Sequence, residues 1–192
     1  MKIENIKASD LVTNKWSGGT TTQLAIYPKD AEYKKQDFLF RISTATVEVE
    51  ESTFTKLPGI SRKLMILDGE IKIEHQKHYS KTLRKFEQDS FEGDWDTKSF
   101  GKATDFNLMT TGKAKGNIES LILEKNKKTQ FGSDFNYLGL YIYSGEIELT
   151  VNQKHLKISQ GDFLSIIGSD KKELEILSDN LSEIILTQIR FN

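Results

Sequence analysis

Cysteine is absent from this 192-residue chain, which removes disulfides, thiol catalysis and thiolate metal ligation and fits a reducing compartment. Proline occurs only twice, at Pro28 and Pro58, so no stretch reads as a proline-rich linker. Neither sign of charge is in excess. The 27 Lys and Arg face 28 Asp and Glu, a net charge of -1, and the basic footprint that nucleic acid or an anionic membrane requires is missing. No apolar run approaches a membrane span, and no early segment combines a charged start, an apolar core and a small-residue cleavage site. A cytoplasmic protein without nucleic-acid or membrane partners is expected. Helical periodicity is scarce throughout, whereas alternation is common, so the expected class is all-β. The length suffices for one large all-β domain or two small ones, burying roughly 70% of the unfolded surface.

What is present is organised around residues 38–69, FLFRISTATVEVEESTFTKLPGISRKLMILDG. Its first part alternates with period two. Leu39, Arg41, Ser43, Ala45, Val47 and Val49 share one face; Phe38, Phe40 and Ile42 open the other, which turns polar from Thr44 onward. That switch suggests a strand covered on both sides at its start and half-exposed further on. Arg41 is the anomaly, because an unpaired guanidinium on an apolar face is costly. A carboxylate of the chain or an anionic ligand must answer it.

Elsewhere, Gly18 and Gly19 permit a bend before a β-branched run, Thr20 to Thr22, that leads into a strand stopped by Pro28. Residues 29–37 read as a solvated loop and Leu57-Pro58-Gly59 as a turn. Asp68-Gly69 between the apolar runs KLMIL and EIKIE predicts a hairpin. Residues 75–104 read as short strands and loops, and TTGKAKG at 110–116 as a mobile connector or domain seam. The second half echoes the first: LMILDGEIKIE at 64–74 matches LYIYSGEIELT at 140–150, and each copy continues to an acidic residue and a phenylalanine, Asp89 and Phe91 in the first, Asp162 and Phe163 in the second. An internal duplication of an all-β unit follows as an expectation.

The second copy, with Gly145-Glu146-Ile147-Glu148-Leu149 and later Gly161-Asp162-Phe163, resembles the second half of a cupin barrel. Together with the first it resembles a bicupin, two jelly-roll-like β-barrel halves packed together, with residues 1–112 as an N-terminal barrel holding the pocket and 113–192 as the C-terminal half. Metal-dependent cupins use a His-x-His pair, a Glu and a later His. Here His75 and His78 are spaced three apart, on opposite strand faces, and His155 stands alone, so all three read as surface residues and no metal or other cofactor is expected. Ser17-Gly18-Gly19-Thr20 lacks the lysine of a phosphate loop, and no Ser-His-acid order stands out.

The polar set of interest is Arg41, Arg62, Asp105 and Asn107. Alternation puts Asp105, Asn107 and Met109 on one face and Phe106 and Leu108 on the other, without saying which face looks inward. An Arg41–Asp105 ion pair in the interior stands as the structural alternative to a ligand-binding arginine. Trp16 and Trp95 either wall a pocket or fill the core.

WSGGTTTQLAIYP (16–28), FRISTATVE (40–48), STFTKLPGISRKLMILDG (52–69), FEGDW (91–95) and DFNLM (105–109) together are similar to the HutD/Ves family. The resemblance implies a cupin-like β-barrel protein associated with histidine utilisation, regulatory rather than catalytic, that binds a small anionic intermediate such as a formylated amino acid. Many members carry Trp-Lys-Asn-Gly-Gly-Gly with a Glu a few residues later; this chain has Trp16-Ser17-Gly18-Gly19 and then Gln23. The expected binding residues are Trp16, Arg41, Ser43, Phe54, Arg62, Asp105 and Asn107, with Arg41 on the carboxylate, and a homodimer is compatible with the sequence. The rival expectation is a metal-free isomerase or hydrolase using Asp105 as general base. A pure interaction protein would instead show a dry interior and a large apolar surface patch.

Overall fold

The computed structural model describes residues 1–133, 135–168 and 172–191. Over these residues the chain is all-β, with two single 3-10 turns at Ala8–Asp10 and Tyr33–Lys35. The strands are β1 (Lys2–Ile6), β2 (Val12–Trp16), β3 (Gly19–Tyr27), β4 (Phe40–Val47), β5 (Glu51–Thr53), β6 (Ile60–Gly69), β7 (Ile71–His75), β8 (Tyr79–Leu83), β9 (Gln88–Glu92) and β10 (Thr97–Phe100). They continue as β11 (Ala103–Thr111), β12 (Ala114–Leu123), β13 (Lys127–Ser133), β14 (Tyr137–Ser144), β15 (Glu146–Val151), β16 (Lys154–Ser159), β17 (Phe163–Ile167), β18 (Lys172–Ser178) and β19 (Ser182–Phe191). Among the described residues no helix is long and apolar enough to cross a membrane.

Val12–Lys115 form one compact unit. Its six-stranded sheet runs β2-β3-β4-β11-β6-β9 and its four-stranded sheet β5-β10-β7-β8. Leu64 and Ile66 of the first sheet pack with Ile71, Ile73 and Leu83 of the second, joined by Phe91 and Ala103. Each such side chain removed from water contributes about 1.5–3 kcal/mol. Both sheets end in edge strands, so the unit is a pair of facing open sheets and not one closed barrel. Met1–Leu11 and Gly116–Phe191 form the other unit, with sheets β1-β17-β14-β19-β12 and β13-β18-β15-β16 around a core that includes Leu140, Ile142, Ile147, Leu149, Ile176 and Leu186.

Strand order repeats between the units. The run β4-β11-β6-β9 has its counterpart in β12-β19-β14-β17, and β5-β10-β7-β8 in β13-β18-β15-β16. The repeated sequence motif sits at equivalent corners, β6 to β7 and β14 to β15. This corrects the hairpin expected at Asp68-Gly69: β6 pairs with β11 and β9, β7 with β10 and β8, and the turn carries the chain from one sheet to the facing one. Turn chemistry fixes the reversal, with φ at 84° for Gly69 and 82° for Gly145. Partner choice is set by the distant strands that each run buries against. A Cβ at Gly69 would lie 2.5 Å from the Lys102 carbonyl oxygen, and one at Gly145 2.7 Å from that of Leu181.

The TTGKAKG stretch is strand, turn and strand: Thr111 ends β11, Gly112 and Lys113 turn, and Ala114 opens β12. Its threonines are β-branched and ladder-paired, Thr110 facing Phe40, which is why only the glycine and its neighbour leave the strands.

Candidate functional site

Three neighbouring strands bring the predicted polar set together. In register across β4, β11 and β6, Arg41 lies beside Met109 and Met109 beside Arg62; Ser43, Asn107 and Leu64 form the next row, and Ala45, Asp105 and Ile66 the one after. Side chains alternate along a strand, so Arg41, Ser43, Asp105, Asn107 and Arg62 share the face of Leu64 and Ile66. That face looks toward the four-stranded sheet. Phe40, Ile42, Phe106 and Leu108 on the opposite face are fully buried as well, as the sequence of β4 leads one to expect. The polar set is interior, with Arg41 and Arg62 each 8% exposed, Asp105 5% and Asn107 6%.

The interior ion pair is not formed. Arg41 Nε donates to Gln23 Oε1 at 2.8 Å and its NH1 to Ser43 Oγ at 3.2 Å, while its guanidinium lies 4.5 Å from the centre of the Tyr33 ring. Arg62 NH2 donates to Asn107 Oδ1 at 3.3 Å, and that guanidinium lies on the rings of Phe54 and Phe91 at 4.8 and 5.2 Å. Arg62 Nε, fully shielded from solvent, has no hydrogen-bond partner. Asn107 Nδ2 turns away and donates to Asp105 Oδ1. Among the described residues neither guanidinium is ion-paired to a carboxylate; neutral acceptors and aromatic faces hold both.

Such an arrangement is electrostatically unfinished. Burial depresses the Arg62 guanidinium to about 10, Asp105 opposing this and Arg41 adding to it. Burial also lowers Arg41. Asp105 is pushed up to about 7 by burial, against the pull of Arg62 and the Asn107 hydrogen bond, so at neutral pH it supplies only part of a negative charge. Two cations and a fraction of an anion share one face of the sheet.

Two hollows open nearby. The smaller, about 270 Å³, is lined by Arg62, Phe91, Trp95 and Thr110 among others. The larger, about 640 Å³, lies at the β7–β8 turn and is lined by Phe54, His75, His78 and Tyr79 among others. Arg62 therefore lines a hollow, whereas Arg41, Ser43, Asp105 and Asn107 line neither of these two. Trp16 lies on the edge strand β2, 40% exposed, with its ring over Gly18.

Sequence reasoning missed Gln23, the acceptor that meets Arg41. It sits opposite Ser43 just before a register shift between Gln23 and Ala25, where simple alternation fails. It also placed His75 at the surface. His75 instead ends β7 inside the unit, its Nδ1 2.8 Å from Thr97 Oγ1 and its Nε2 2.9 Å from Asp89 Oδ2, while the Tyr79 hydroxyl donates to Asp89 Oδ1 at 2.9 Å. Partners 14 and 22 positions away along the chain satisfy its ring, and no local pattern shows them. The hydroxyl–imidazole–carboxylate row of Thr97, His75 and Asp89 ties β10, β7 and β9 together, with Thr97 2% exposed and both ring nitrogens of His75 engaged, and Thr97 and His75 lie along the larger hollow.

A sequence profile of the HutD family matches residues 8–185. The chain belongs to the HutD family. Among solved structures, this HutD-family chain is similar to a conserved protein of unknown function from Pseudomonas aeruginosa PAO1, with TM-score 0.89 at 18% identity over 99% of this chain and 100% of that one. It is similar to HutD from Pseudomonas fluorescens SBW25, with TM-score 0.77 at 19% identity over the full length of both. YhhW from Escherichia coli gives 0.74 at 11% identity, covering 97% of each chain. At these identities the likenesses speak for the all-β, cupin-like fold alone. No curated protein matches the chain by sequence.

Proposed function

We propose that this HutD-family protein binds a small carboxylate or formylated anion on the Arg41 face of its Val12–Lys115 unit and acts as a regulatory binding protein in amino-acid utilisation, that of histidine in particular. It works in the cytoplasm, without a metal and without direct contact to nucleic acid or membrane. The repeated strand order and the paired Gly69 and Gly145 corners support reading the chain as two cupin-like halves. One observation carries the binding role: two interior guanidiniums are held by Gln23, Ser43 and Asn107, all neutral, and Arg62 Nε is left unpartnered. Buried cations without counter-ions are unfavourable, and an anion relieves both at once.

In this reading Arg41 takes the carboxylate bidentately, Ser43, Asn107 and Arg62 orient it, and Arg62, at the edge of the smaller hollow, is where the anion arrives. Phe54 packs on Arg62 and keeps water from it. The structure of HutD from Pseudomonas fluorescens SBW25 was solved in a formate condition, and formate is the simplest probe of this chemistry. Thermal unfolding of the protein with rising formate, measured against chloride at equal ionic strength, should show stabilisation that Arg41→Ala abolishes while its far-ultraviolet spectrum stays unchanged. Equal stabilisation of the variant would remove Arg41 from the site.

A second reading is favoured by Asp105 alone. A carboxyl near 7 is matched to general-base work at neutral pH, as an isomerase or hydrolase would need. Turnover of a candidate substrate, lost in Asp105→Asn, would establish it; no turnover across a broad panel would count against it.

A further inference from the structure

We propose that the hollow of about 640 Å³ at the β7–β8 turn is a second ligand site, built for a planar aromatic anion of the aryl carboxylate type. The proposal does not rest on the Arg41 reading. Aromatic rings supply its apolar surface. Phe54 and Tyr79 line the hollow, and His78 lies flat against Trp95, ring centres 3.7 Å apart and planes 12° from parallel. Tyr79 meets Trp95 edge-on at 6.0 Å. Stacked and edge-on rings of this kind favour a flat guest over a branched aliphatic one.

Two of the wall residues, His75 and Tyr79, are set before any guest arrives. His75 packs against Phe91 at 4.6 Å, Tyr79 at 4.8 Å and Trp95 at 5.3 Å, and is itself pinned by Thr97 and Asp89. The Tyr79 hydroxyl is tied to Asp89 and, at 3.2 Å, to the Ser90 carbonyl oxygen. A wall whose polar atoms are already satisfied loses little freedom on binding.

Charge selects the guest. Four charged side chains of the lining are matched by ion pairs: Lys56 and Asp96 to each other at 2.6 Å, Glu74 to Lys72 at 2.5 Å and Lys98 to Glu51 at 2.5 Å. Among the described residues that leaves the Lys77 ammonium and the His78 imidazole without a hydrogen-bond or ion-pair partner on their side chains. The two are adjacent in the turn, and Lys77 is held at φ 66°, a left-handed position that a lysine seldom adopts. An unmatched cation and an imidazole beside a stack of rings complement a carboxylate carried on an aromatic ring.

The probe is 2-naphthoate, titrated into the uniformly 15N-labelled protein while the Trp95 indole N–H signal is followed, Trp16→Phe serving to assign the two indoles. The expected result is a saturable shift of the Trp95 signal, weakened at least tenfold in His78→Ala and several-fold in Lys77→Gln, and retained in Arg41→Ala. The neutral isostere 2-naphthylmethanol should bind at least tenfold more weakly than the acid. An unmoved Trp95 signal at millimolar probe, equal binding of acid and alcohol, or binding lost in Arg41→Ala yet kept in His78→Ala would each overturn the proposal. The last pattern would place the probe on the Arg41 face.

Discussion

Replacing Asp105 by Asn tests the electrostatics of the interior set with an isosteric change. In the folded protein Asp105 is pushed up to about 7 from an ordinary value of 3.8. Its folded value lies above its unfolded one, so the native state holds the proton over that interval and the unfolded state does not. The associated stability is fully present below about 3.8, falls as pH rises toward 7, and is gone above it. At about 1.4 kcal/mol per pH unit, an interval of roughly three units is worth about 4 kcal/mol at most. Asn cannot ionise and can still accept from Asn107 Nδ2, so its stability is flat across the window. The Asn variant should match the wild type near pH 4 and exceed it at pH 8, where a difference of this size raises Tm by about 10 °C for a chain of this length. The assay is thermal unfolding at half-unit steps from pH 4 to pH 9 in a buffer series of constant ionic strength. A variant that is less stable than wild type at pH 8 would refute the reasoning, because Asp105 would then be the counter-ion of Arg62 and the site would be complete without a guest.

Gln23→Glu sets a carboxylate where Gln23 now meets Arg41 Nε at 2.8 Å; it should weaken formate binding at least tenfold, read by the same thermal titration, since a charge about 4 Å away is worth roughly 4 kcal/mol near a protein surface before desolvation is subtracted. His75→Ala strips Asp89 and Thr97 of a shared partner and opens a gap beside Trp95, and should cost about 3 kcal/mol in denaturant unfolding with a red shift of tryptophan emission. Gly145→Ala forces a side chain against the Leu181 carbonyl at a left-handed position and should cost at least about 2 kcal/mol, whereas Gly112→Ala, with open space around it, should cost little.

Much of the site is legible in the sequence because it is written in alternation. Arg41 stands out as a cation on an apolar face, and the shared parity of Asp105, Asn107 and Met109 puts three side chains on one side of a strand; the ladder β4-β11-β6 then sets them beside Arg41 and Arg62. Which face looks inward was not legible, because both faces of that sheet are buried and parity alone cannot rank them. Gln23 was hidden by the irregularity that follows it. His75 was hidden because its partners Asp89 and Thr97 belong to other strands, and a histidine spaced three from another carries the look of a surface pair. Asp68-Gly69 shows the converse: the local turn signal was right about the bend and silent about pairing, which the distant strands β11 and β10 decide. The first strand makes the same point, since Lys2–Ile6 pairs with Phe163–Ile167, and no window of sequence contains both.

The most direct measurement follows the side-chain Nε–H signals of Arg41 and Arg62 in 15N spectra as formate is added at constant ionic strength. Both signals should shift saturably and with a common midpoint, and in Gln23→Glu the Arg41 signal should start displaced and respond far less. Guanidinium signals that stay fixed up to molar formate, in a protein still folded, would mean that Gln23, Ser43 and Asn107 already satisfy the two arginines and that no anion is taken there.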